Sequence, residues 1–130
     1  MRALIRAAII EDATLNGLGI DDDAAFAVDV DTPGVRPFLQ LRWGRTDVGL
    51  DVVTKRNLVI WVHDAPGDYT TKIDAILLRL RALLPTLVGE SNGLGHLVDV
   101  AWAGDSEDLS DDGHGTITRN ASFVLVGSGQ

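Results

Sequence analysis

Three constellations in this chain hold residues that can do chemistry: the pair His63-Asp64 ahead of Pro66-Gly67, the acidic run from Asp105 to Asp112, and three tryptophans, Trp43, Trp61 and Trp102. A carboxylate beside an imidazole can orient it as a general base. Neighbours in an extended segment project to opposite faces, however, so this pair needs a third group from elsewhere in the chain. Turn geometry explains HDAPGDY without a site. Pro66-Gly67 reverses the chain, and Asp68, Thr70 or Thr71 can accept hydrogen bonds from the first N–H groups of a following helix.

In the acidic run, Asp108-x-Ser110-x-Asp112-Gly113 matches the opening of a calcium-binding EF-hand loop. The position that should carry the bidentate glutamate is Arg119, and the flanks read as strands rather than helices. A solvated acidic hairpin tip is the expectation. His96 and His114 stand alone in glycine-rich turns, and no HxxxH or HExxH spacing sets two ligands on one helical face. The chain has no cysteine, which removes thiolate ligands and a cysteine nucleophile. Gly17-x-Gly19 and Gly93-x-Gly95 continue into neither GxGxxG nor a phosphate-cradling loop. Ser106, Ser110 and Ser122 lack a nucleophile-elbow context. The expectation is therefore no catalytic, cofactor or metal residue and no enzyme. The opposing hypothesis, a small-molecule or metal-dependent enzyme, requires His63, Asp64 and the Asp105 to Asp112 loop to converge.

The elements that position these groups follow from periodicity. Residues 2–15 are alanine-rich with Leu4, Ile5, Ala8 and Ile9 at helical spacing, and Asn16-Gly17 makes a stop. AFAVDV, 25–30, suits a short strand. PFLQLRWG, 37–44, alternates, with Leu39, Leu41 and Trp43 on one face. Residues 45–56 show no strict period and read as a long connection projecting from the body. LVIWV, 58–62, is apolar throughout and suits a strand buried on both faces. Ile73, Ile76, Leu77, Leu80, Leu83, Leu84 and Leu87 then mark an amphipathic helix that Pro85 ends or kinks. LVDVAWA, 97–103, and TITRNASFVLV, 116–126, read as strands joined as a hairpin. The order predicts an α+β fold: a mainly antiparallel four- to five-stranded sheet with two principal helices packed on one face. Its other face would then seek a partner, and each tryptophan is open to two readings, core or interface.

The chain's 130 residues, 45% hydrophobic, suit a single domain over 1–130. A formal charge of −8 is the opposite of the basic footprint that phosphate binding needs, so nucleic acid is not an expected partner. No apolar run is long enough to cross a bilayer, and no signal peptide is evident, so the Asn120-Ala121-Ser122 sequon implies no glycosylation and no membrane is expected.

PFLQLRWG, the strand-turn-helix LVIWVHDAPGDYTTKIDAILLRLRALL, and AWAGDSEDLSDDGHGTITRNASFVLV together resemble the tail terminator, or tail-completion, proteins of long-tailed bacteriophages. The resemblance runs from Pro37 onward and includes the run Trp102, Gly104, Ser106, Asp108, Leu109 and Asp111. It implies a small α+β fold and a minor tail protein of the virion's neck region, assembled in the host cytoplasm. The protein would form a hexameric ring on the head-proximal end of the tail tube, stop tube polymerisation and join the tail to the head. Its implied partners are its own copies, the tail-tube protein and the connector or neck proteins. A head-closure or other neck protein is the nearest alternative, and a monomeric binding module a further one. Candidate interface residues are Trp43, Asp105, Asp108, Asp111, Asp112 and Arg119. The acidic and serine positions of the run equally suit shaping the hairpin, and both readings stand.

Overall fold

A computed structural model describes residues 2–26, 37–48, 54–64, 71–89, 96–111 and 116–128. The chain opens with α1 (Arg2–Glu11) and α2 (Ala13–Gly17), followed by β1 (Ala25–Phe26), β2 (Phe38–Val48) and β3 (Thr54–Asp64). Then come α3 (Thr71–Leu83) with a 3-10 turn over Leu84–Leu87, β4 (His96–Asp105), β5 (Leu109–Asp111) and β6 (Thr116–Ser128). The sheet order is β1-β2-β3-β6-β4, with β5 also paired to β6. Every pairing is antiparallel except the short β1–β2 contact, which is parallel. The expected α+β architecture is the one observed.

Register explains which side chains share a face. Leu41 pairs with Ile60 and Ile60 with Ala121, while Trp43 pairs with Leu58 and Leu58 with Phe123. This face carries Leu39, Leu41, Leu58, Ile60, Val62, Ala121, Phe123 and Leu125, all buried. Against it pack Leu4, Ile5 and Ile9 of α1 and Ile73, Ile76, Leu77, Leu80 and Leu83 of α3. The helical stripe expected from 73 to 84 is thus the core stripe. Leu78, off that stripe, is 69% exposed.

Several expectations need correction. Residues 2–15 do not form one helix, because the Asp12 carboxylate accepts the Leu15 N–H at 3.0 Å and caps a new helix start. Of the connection expected over 45–56, residues 45–48 and 54–56 are strand, since β2 runs to Val48 and β3 begins at Thr54, paired Thr46–Arg56, Asp47–Lys55 and Val48–Thr54, while 49–53 lie outside the described residues. A bulge between Trp43 and Thr46 shifts the alternation there, which hides the strand from a period count. Gly44 fits the bulge because a Cβ at that position would lie 3.3 Å from the Asn57 Cβ. The segment 58–62 alternates instead of being buried on both faces, with Val59 and Trp61 half-buried. On the second face Phe38, Gln40, His63 and Thr118 are buried, whereas Trp61 opposite Gln40, and Val59, Val124 and Val126 further along, are half-exposed. That face is therefore only partly in need of a partner. Of the strand expected at 25–30, Ala25–Phe26 is observed and the remainder lies outside the described residues.

Candidate interface surfaces

His63 and Asp64 are the last two residues of β3, not the turn itself, and both are buried. They pair with different partners across the ladder, His63 with Thr118 and Asp64 with Ile117, so they face opposite sides of the sheet as adjacency requires. His63 stacks on Phe38 with ring centroids 4.5 Å apart, and its Nδ1 shares a hydrogen bond with the Thr116 hydroxyl at 2.8 Å. Thr118 donates to the Val62 carbonyl at 2.8 Å. These contacts fasten the end of β3 to β6. Pro66-Gly67 and His114 lie outside the described residues, and among the described residues no three acidic or histidine side chains group as metal ligands.

The acidic run is built around Arg119. Arg119 Nε donates to the Ser106 carbonyl at 3.1 Å and lies 3.6 Å from the Asp108 carboxylate, and the same guanidinium hydrogen-bonds Asp74 on α3. Ser106 completes the fastening: its N–H donates to the Asn120 carbonyl at 2.8 Å, and its hydroxyl accepts the Asn120 N–H at 3.0 Å. A single guanidinium thus holds helix, central strand and edge-strand kink together. Upstream, Trp102 Nε1 donates to Asp105 at 2.9 Å, and the Arg81 guanidinium of α3 lies 3.6 Å from the centre of the indole. Gly104, at φ 128°, sits where a second register shift interrupts β4. Only glycine takes that conformation without strain. The spacing Trp102, Gly104, Ser106, Asp108 therefore records the needs of a bulged, kinked edge.

Among the described residues no further strand covers this edge: β4 hydrogen-bonds as a strand to β6 alone, while Gly89 N–H donates to the Leu97 carbonyl at 2.9 Å. Val98 and Trp102 are 46% and 38% exposed, and Asp99 and Glu107 are exposed beside them.

Trp43 lies on the opposite side of the sheet, with β3 and β6 between it and β4. Arg2 of α1 and Arg56 of β3 stand 5.9 Å and 5.0 Å from its ring centre. Burial, and then the charge of Arg2, lower the pKa of Arg56, and its buried Nε has no hydrogen-bond partner among the described residues. A cavity of about 230 Å³ opens there between Arg2, Ala3, Arg6, Leu41 and Trp43. Sequence spacing could not reveal this cluster, because Arg2 and Arg56 are distant in the chain and meet only through the α1 packing.

Of the candidate interface residues, the structure gathers Asp105, Asp108 and Arg119 toward the β4 edge and sets Trp43 on β2, across β6 and β3 from it. Asp111 closes β5, and Asp112 lies outside the described residues.

No protein-family model and no curated protein matches the chain. Among solved structures, the virion of a native gene transfer agent (GTA) particle contains a chain of the same fold. The match has a TM-score of 0.71 at 18% identity and covers 99% of this chain and 95% of that one.

Proposed function

We propose that this protein is a structural component of a phage-like virion, a tail terminator that acts by assembly and turns over no substrate. Its copies close into a ring, hexameric in this reading, on the head-proximal end of the tail tube. The ring ends tube growth by covering the last layer with a surface to which no further tube subunit can bind, and it offers that surface to the head or neck. The observation that carries this reading is the end-to-end fold likeness to a chain of the gene transfer agent virion. Two chemically different patches at opposite ends of the sheet, the arginines around Trp43 and the acidic β4 edge, add to it, since a ring requires one patch on each subunit to meet a different patch on the next.

The test is light scattering on the purified chain, alone and with its cognate tail-tube protein, followed by electron microscopy of the mixture. Rings, and tubes that carry a cap and stop elongating, are the expected result. Tubes that grow unchanged in the presence of the protein would remove the terminator reading. Rings that bind head-side proteins but leave tube growth unaffected would assign a neck protein instead.

A further inference from the structure

We infer that the ring contact of the reading above is made by the cluster Arg2–Trp43–Arg56 on one subunit receiving Asp99 from the acidic β4–β5 edge of the next, with Glu107 further along that edge at the rim of the same contact. Three observations carry this. First, Arg2 and Arg56 both stand against the Trp43 indole, repel each other, and are in no ion pair among the described residues. Two guanidiniums set around one indole, with no carboxylate paired to either among the described residues, are relieved when an anionic side chain enters, and the cavity lined by Arg2, Arg6 and Trp43 has room for one.

Second, the complementary charge lies on the same chain. Asp99 and Glu107 are exposed on the far edge and in no ion pair among the described residues, whereas Asp105 and Asp108 are engaged by Trp102 and Arg119. The exposed Val98 and Trp102 beside them supply apolar area for the centre of a contact, with the charges at its rim. Third, the two patches sit on opposite sides of one sheet, so pairing them is head-to-tail. Head-to-tail contacts generate rings or filaments, never closed two-fold dimers. The occupant of the arginine pocket is accordingly a second copy of this chain.

The chain has no cysteine, which makes cross-linking unambiguous. Ala3 on α1 and Ala103 on β4 are exposed beside the two patches. The variant carrying both Ala3→Cys and Ala103→Cys, oxidised at high protein concentration alone and with tail-tube protein, is expected to give a ladder ending in one closed oligomer. Each single-cysteine variant should stop at dimers. Placing Arg2→Glu with Arg56→Glu in the double-cysteine background, or Asp99→Lys with Glu107→Lys, should abolish the ladder, and all four together should restore it. Circular dichroism checks folding, and Arg2→Glu with Arg56→Gln replaces the first pair if Glu at 56 unfolds the chain.

A double-cysteine chain that stops at dimers, or a ladder indifferent to the charge reversals, would overturn the assignment. If the unmodified chain still forms rings in that case, the ring reading survives and only this surface falls. If it forms none, with or without tube protein, both fall.

Discussion

Arg119 and Asp12 show how much one side chain can organise. The loss of Arg119 frees Asp74 and Asp108 and leaves the Ser106 carbonyl short of a donor, so Arg119→Ala is expected to destabilise the fold by about 1–2 kcal/mol, read as a lower urea midpoint. Asp12 caps α2 and takes two hydrogen bonds from Arg79, at 3.0 and 2.7 Å. The bond from Arg79 holds its carboxyl below the usual carboxylate range. A depressed carboxyl stabilises fully above its unfolded pKa of about 3.9, and that contribution is lost as pH falls through the folded value. Asp12→Asn keeps a capping oxygen but no titrating group, so its urea midpoint should fall less than the wild type's on acidification below about pH 4. Asp12→Ala should cost about 1 kcal/mol at neutral pH from the lost cap alone. The sequence placed Arg119 against the acidic run only as a misfit in a calcium pattern. It gave no sign of Asp12 meeting Arg79, a contact made by two helices folding onto one sheet.

At the level of elements, legibility tracked how regular the period was. The helix from 73 to 84 and the last strand alternate cleanly, and both were readable because each buries one continuous face. The ribbon over 45–48 and 54–56 was not, since its bulge at Gly44 shifts the register and the loss of period looks like a loop. The first helix failed for a related reason: Asp12 interrupts helical hydrogen bonding without breaking the apolar spacing. Phe123, 1% exposed at the centre of the sheet, is expected to cost about 3–5 kcal/mol as Phe123→Ala, checked by equilibrium unfolding. Gly104→Ala should cost on the order of 1–3 kcal/mol, because its φ of 128° is closed to a residue with a Cβ. If the edge kink guides assembly, the same variant should also weaken ring formation more than Phe123→Leu does at matched stability.

For the whole molecule, charge is the quantity that acts at a distance. A net charge of −8 makes like subunits repel, so a contact between copies must be local and complementary. Raising ionic strength from low to moderate should therefore have two opposed effects on assembly: screening the general repulsion and weakening the arginine–carboxylate rim. The sequence reported the net charge but not its arrangement, because the clustering of Arg2 with Arg56 and the exposure of Asp99 and Glu107 at the far edge exist only once the sheet order is fixed. The two register shifts in β4, at Leu97/Asp99 and Trp102/Gly104, carry one more consequence. A flat ten-residue edge would present an unbroken row of N–H and C=O groups and template fibrils from its own copies. Broken twice, the row is a poor template for copies in register; deleting both Val98 and Ala103, the extra residue of each shift, is expected to straighten the strand and produce thioflavin-positive aggregates.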